Sequence, residues 1–232
     1  MPFTEKQSRV LLGALLFAAI LLGGGTYFML NRVTVPDRAI LAGKPELEAS
    51  YDKALKHKAI IEAGTDENGN YLAEGAAWKM IGDATKEPVW HKLALKAYED
   101  GIAVTDEKNS LFLTNAGQIA EALGDYDKAK DYYEMAIDLS PGDVSYYLMQ
   151  ISLLRYKLKA KPEEILAAYA NAVERVIGGA DLIASRSQYF KALGRYDEMK
   201  KDLELLLQNN VITQAQFDGE LDEVARIKEN QQ

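Results

Sequence analysis

The chain has 232 residues, with 27 Lys and Arg against 35 Asp and Glu, two histidines, no cysteine and 48% hydrophobic residues. That length is enough to bury a sizeable core in one or two domains. The formal charge of −8 is wrong for the basic stripe that nucleic-acid affinity needs, so no nucleic-acid partner is expected. Without cysteine there is no disulfide, no thiolate catalysis and no Cys-ligated metal or cluster, and two histidines leave little for acid–base or metal chemistry.

The N-terminal tail, residues 1–9, carries Lys6 and Arg9 ahead of an uncharged run, Val10 to Leu30. A helix of that length rises about 30 Å, the thickness of a bilayer's hydrocarbon core. The sequence therefore predicts a transmembrane anchor over residues 10–30, in contact with a lipid bilayer, with Tyr27 at the interface. A cleaved secretory signal is the alternative, but the run is long for one and no small-x-small site closes it. Ala14/Ala18 and Ala19/Gly23 set small residues four apart, which would let a second span approach and form a homo-oligomer. Arg32, Arg38 and Lys44 balance Lys6 and Arg9, so the positive charges do not fix the orientation. A short basic tail before a lone span suits a signal-anchor. It predicts the N-terminus inside and the remaining domain outside the cytoplasm, periplasmic or at the cell surface.

A linker follows over residues 31–45, broken by Pro36 and Pro45. Residues 46–72 read as a flanking helix and loop: Leu47, Tyr51, Leu55 and Ala59 share one face of a helix over Glu46 to Ala63. Asp66-Glu67-Asn68-Gly69-Asn70 has a passing likeness to a calcium loop. Its glycine stands fourth instead of sixth, however, and Ala77 takes the place of the closing glutamate, so no metal is expected.

From residue 75 the chain repeats itself. Trp78, Gly82 and Tyr98 recur 35 residues later as Leu113, Gly117 and Tyr133. Gly124, Tyr126, Ala129, Tyr133 and Ala136 recur 70 residues later, two periods, as Gly194, Tyr196, Met199, Leu203 and Leu206. Tyr169 and Ala172 fall 36 residues after Tyr133 and Ala136. A fixed period in this range marks a stack of repeated supersecondary units. In the clearest copy Ser110 to Leu123 forms a first helix, Gly124-Asp125 the turn and Tyr126 to Leu139 a second helix, ended at Pro141. The copies run over residues 75–109, 110–143, 144–179 and 180–210. Residues 211–232 form a capping helix: Thr213 and Gln216 begin a capping box, and Phe217, Leu221, Val224 and Ile227 make its apolar stripe.

The segment NAGQIAEALGDYDKAKDYYEMAIDLSPGD closely resembles a tetratricopeptide repeat, with Gly117, Ala120, Gly124, Tyr126, Ala129, Tyr133, Ala136 and Pro141 where that family has its small, large and helix-ending residues. The copy at residues 180–210 preserves the turn and second helix. The copy at 144–179 has a turn stretched around Lys159 to Pro162. In the copy at 75–109, Pro88 replaces the usual turn and Gly101 the usual alanine. The resemblance implies an all-α fold, a right-handed α-solenoid of about four helical hairpins with flanking helices, and the uncharged run places one transmembrane helix before it. The resemblance also implies that first helices line a concave groove holding a segment of another protein. On that basis the groove residues are Lys79, Asp83, Asn115, Gln118, Met149, Ser152, Arg155, Ser185, Gln188 and Lys191. Lys79 and Asn115 match two positions of the family's clamp for a partner's C-terminal carboxylate, but Asp83 stands where that clamp has an asparagine and would repel a carboxylate.

No catalytic constellation competes with this reading. His57 and His91 lack a neighbouring carboxylate–histidine motif, and the acidic residues of Tyr126 to Leu139 alternate with lysines as on a solvated face. Tyr126, Tyr133, Tyr169 and Tyr196 fall at repeat core positions, whereas Tyr146, Tyr147, Tyr156 and Tyr189 lie on first helices and are candidates to line the groove. The expectation is a membrane-tethered, non-enzymatic adaptor without cofactor or metal, binding other proteins in the assembly or stabilisation of an envelope complex. A cytosol-facing receptor or a permanent structural subunit of a larger membrane assembly would present the same sequence features.

Overall fold

The structure is a computed structural model that describes residues 33–64, 69–106 and 108–230. The expected N-terminal tail, the span over residues 10–30 with its small-residue pairs, and most of the calcium-like loop lie outside the described residues. Among the described residues no helix is long and apolar enough to cross a membrane.

The chain divides into two compact units, Met1–Pro45 and Glu46–Gln232. In the first, Arg38–Leu41 forms a single 3-10 turn within the expected linker, opened by the Asp37 carboxylate, which accepts from the Ala39 N–H at 2.8 Å. The second is all-α. Its helices among the described residues are α1 (Pro45–Glu62), α2 (Gly69–Thr85), α3 (Pro88–Val104), α4 (Ser110–Leu123), α5 (Tyr126–Leu139), α6 (Val144–Tyr156), α7 (Pro162–Arg175), α8 (Ala180–Ala192), α9 (Tyr196–Gln208) and α10 (Gln214–Glu229). They form four hairpins (α2/α3, α4/α5, α6/α7 and α8/α9), with α1 before and α10 after.

The hairpin turns show why the sequence repeats where it does. Gly124 ends α4 at φ +81°, a left-handed conformation that only glycine takes without strain, and the Asp125 N–H closes back onto the Ala120 carbonyl at 2.9 Å. Gly194 repeats this at φ +71°, with the Arg195 N–H on the Phe190 carbonyl at 2.9 Å. In the stretched copy, residues 157–161 separate α6 from α7, and Pro162 sits in the first turn of α7, where its missing N–H leaves no hydrogen bond unmade. Pro88 does the same for α3.

Small residues let the helices of a hairpin close. A Cβ at Gly117 would lie 2.5 Å from Cε1 of the buried Tyr133 ring, so only glycine admits that ring. Gly101, which breaks the family pattern, has an equally direct reason: the Phe112 ring of α4 lies where its Cβ would be. The first hairpin is filled by larger groups. Trp78 and Trp90 stack at 5.6 Å, both fully buried, and Tyr51 of α1 meets them edge-on at 5.5 and 6.2 Å.

Two boundaries differ from the sequence reading. The first hairpin begins at Gly69, six residues before residue 75, and the flanking helix ends at Glu62. The extra turn of α2 is held by contacts to α1 and by burial of Tyr71, with His57 Nδ1 lying 2.9 Å from Asn70 Oδ1. At the other end α10 starts from Thr213 with both halves of the capping box formed. Its Phe217 and Val224 are buried with Ile183, Met199, Leu203 and Leu206, so the final hairpin shows solvent a polar helix instead of its own core.

Candidate functional site

The first helices of successive hairpins, α2, α4, α6 and α8, carry the residues expected to line a groove. Three of these meet at one place. Lys79 and Asp83 of α2 and Asn115 of α4 line an open hollow of about 540 Å³ together with Ala76, Met80, Ala84 and Tyr98. Met80, which the sequence did not single out, is about half exposed there and offers an apolar contact beside the charges. The charges are not free, however. The Lys79 ammonium bonds Asp83 at 2.5 Å, and the other Asp83 oxygen lies 3.0 Å from Nε2 of the buried His91. Partial burial works against ionisation of Asp83, but the bonds to Lys79 and His91 outweigh it and hold its pKa below the usual carboxylate range. Burial, reinforced by the Asp83 charge, pushes Tyr98 up to about 12, so its hydroxyl stays neutral.

Further along, the expected residues divide. Gln118 is half-buried on α4 and Ser152 is exposed on α6. Met149 is half-buried and packs against the cluster of Ala120, Ala129, Tyr133 and Leu153 between hairpins. Asn115 spends an amide donor on the carbonyl of Leu111, one turn back, at 2.7 Å.

Arg155 and Ser185 meet through a residue that the sequence assigned to the core. The fully buried Tyr169 accepts from Arg155 Nη1 at 3.2 Å, and its hydroxyl lies 2.7 Å from Ser185 Oγ. The Arg155 guanidinium also lies 4.6 Å from the Tyr189 ring centroid and 5.0 Å from that of Tyr156. Of the four first-helix tyrosines, Tyr156 is well exposed, Tyr147 and Tyr189 are buried, and Tyr146 is half-buried with its hydroxyl on Ser110 at 2.9 Å. Burial raises the Tyr189 pKa, and the Arg155 charge opposes that rise.

At the last hairpin Gln188, which is exposed, and Lys191 have partners on the C-terminal helix. Lys191 Nζ lies 2.9 Å from Glu220 and 2.7 Å from Glu223, and Gln188 Nε2 donates to Glu220 at 3.2 Å. The C-terminal helix α10 therefore places two carboxylates beside Lys191 at this end of the groove. A period-based reading misses it, because the partners come from the element that follows the last repeat. Among the described residues no cluster of three His, Asp or Glu is placed to hold a metal ion.

The architecture is that of a helical-hairpin repeat solenoid. Residues 110–143, the hairpin α4/α5, match the tetratricopeptide repeat family. Two crystal structures of MamA are similar in fold: one is 15% identical, covers 76% of this chain and 96% of that one, and has a TM-score of 0.53. The other is 15% identical, covers 70% and 91%, and has a TM-score of 0.50. A thermophilic tetratricopeptide repeat protein of Thermus thermophilus is 11% identical over 76% of this chain and 98% of its own, with a TM-score of 0.43. No curated protein matches the sequence. Tetratricopeptide repeats generally mediate protein–protein interaction, and their stacked hairpins present extended concave surfaces for it.

Proposed function

We propose that the chain is a membrane-tethered adaptor that holds a segment of a partner protein along the face formed by α2, α4, α6 and α8. The observation that carries this reading is the hollow at Lys79, Asp83 and Asn115: residues from two consecutive first helices border one open space, floored by Tyr98 and edged by Met80. A polar lining with one apolar edge suits a peptide held by side-chain hydrogen bonds and a modest hydrophobic contact.

The anchor belongs to the proposal and rests on the uncharged run Val10 to Leu30. Tethering turns encounter with a neighbouring membrane complex into a nearly intramolecular event, so weak groove binding suffices. The adaptor would thus serve assembly or stabilisation of an envelope complex, with the hairpins outside the cytoplasm.

Two experiments test this. A photoreactive residue at Gln118 or Ser152 in the full chain should cross-link a discrete partner in cells, whereas one at Asp127 on the second helix α5 should not. Equal cross-linking at Asp127 would place recognition off the groove. For topology, the chain has no cysteine of its own, and Gly142 is exposed with open space around it, so Gly142→Cys reports cleanly. Labelling of intact cells by an impermeant thiol reagent is expected, and labelling only after lysis would turn the domain to the cytoplasm.

A further inference from the structure

Three cations were expected in the groove, and their situations differ. Lys79 is neutralised by Asp83, and Lys191 by Glu220 and Glu223. Arg155 has no carboxylate within ion-pair distance among the described residues. Glu163, whose charge acts on the neighbouring Tyr189, stays beyond that distance. Its guanidinium is nonetheless held in place. One nitrogen donates to Tyr169, itself tied to Ser185, and the plane rests against the Tyr156 and Tyr189 rings at 5.0 and 4.6 Å. A guanidinium has five N–H donors in a fixed fork. Only the one to Tyr169 is spent here, which leaves a pre-positioned cation with donors to spare beside an exposed tyrosine. Arginine and tyrosine held in this way are the usual makings of an interface anchor.

We propose that Arg155 is the specificity anchor of the groove and takes an Asp or Glu side chain of the partner segment in a charge-assisted hydrogen bond. The proposal rests on the groove reading above and adds the chemistry of the partner. The neighbouring surface already shows that chemistry in use. Ser185, Gln188 and Lys191 follow one another along α8, and the last two receive the carboxylates of Glu220 and Glu223, which one turn of α10 presents together. The chain's own acidic helix fills the Lys191 end of this stripe. At the Ser185 end, where Arg155 stands, no carboxylate among the described residues comes within ion-pair distance of the guanidinium. A helix-borne or extended acidic side chain continues the same pattern into the open part of the groove. The chain's overall charge of −8 means that the attraction is local, so binding should rise only modestly as salt is lowered.

The test is a peptide library displayed with its C-termini linked to the carrier, panned on the full-length chain and on Arg155→Gln. The expected result is enrichment of peptides sharing an Asp or Glu, lost on the variant. An enriched peptide is then made with an amidated C-terminus, alongside its Glu→Gln (or Asp→Asn) analogue. The acidic peptide should lose at least tenfold in affinity on Arg155→Gln and less on Arg155→Lys, while the analogue should bind all three proteins equally. Thermal melting of the variants checks that the fold is retained. Peptides enriched without acidic residues, an acidic peptide indifferent to Arg155→Gln, or binding that needs a free α-carboxylate would overturn the anchor and leave the groove reading standing. No enrichment of any peptide would remove both.

Discussion

Lys191 of α8 lies 2.9 Å from Glu220 of α10, so the C-terminal helix is pinned across the groove face of the last hairpin as well as against its core. The pin is electrostatic and titrates at both ends. Burial opposes the charge on Lys191, but the hydrogen bonds it donates to Glu223 and Glu220 outweigh that and raise its pKa above the ordinary 10.5. The Lys191 ammonium in turn lowers Glu223 below its ordinary 4.5. A raised lysine stabilises fully below its ordinary pKa and loses that contribution as pH climbs through its folded value. A lowered carboxylate contributes above its ordinary pKa and loses that as pH falls through its folded value. The contact is therefore complete between these limits and fails outside them. Melting of wild type and Lys191→Met should differ by a few degrees at pH 7, and the difference should shrink as pH falls through the lowered folded value of Glu223.

The apolar side of the same helix gives a stronger effect. Phe217 is buried among residues of the last hairpin, and Phe217→Ala should cost about 3 kcal/mol. In a solenoid each unit leans on its neighbours, so the loss should fall on α8 and α9 first. Native-state hydrogen exchange should show those helices losing protection while α4 and α5 keep theirs. Uniform loss along the chain would mean that the stack unfolds as one cooperative unit.

How much of this was legible depends on how far apart the interacting residues stand. The turns at Gly124 and Gly194 announce themselves, because glycine takes the left-handed conformation most easily and the next helix starts at once. The bounds Ser110–Leu123 and Tyr126–Leu139 follow from that rule and are the ones observed. Gly101 read as a departure from the repeat, since the reason for it is a ring on the next hairpin, that of Phe112. Lys191 and Gln188 read as groove residues because their partners are 29 and 32 residues away on a helix outside the period. The start of α2 was hidden by Asn68-Gly69, which signals a turn by itself, whereas docking of Asn70 and Tyr71 carries the helix down to Gly69.

Close approach within hairpins gives the next prediction. Gly117→Ala places a methyl group 2.5 Å from the Tyr133 ring, which is buried and tied by its hydroxyl to Glu121 at 2.5 Å. That ring cannot swing aside without giving up its bond in a packed interior. Overpacking of this kind costs about 1–3 kcal/mol. Chemical denaturation should show a lower midpoint with an unchanged slope. Pairing Gly117→Ala with Tyr133→Leu should recover part of the loss, because the smaller side chain leaves room for the methyl group.

The pair Arg186 and Asp202 joins the two helices of the last hairpin by a fork, Nε to Oδ2 at 2.9 Å and Nη2 to Oδ1 at 2.6 Å. The aspartate side chain is only 6% exposed and the arginine 19%, so neither charge has water to fall back on if its partner is removed. Asp202→Ala should therefore cost about 3 kcal/mol or more, chiefly by leaving the guanidinium buried and unpaired. Replacing both, as Arg186→Met with Asp202→Leu, removes the desolvation cost along with the attraction and should return most of the stability. The cycle of wild type, two single variants and the double, measured by denaturant unfolding, separates the two effects. A double variant as unstable as Asp202→Ala alone would mean that the fork holds the hairpin geometry in a way apolar packing does not replace.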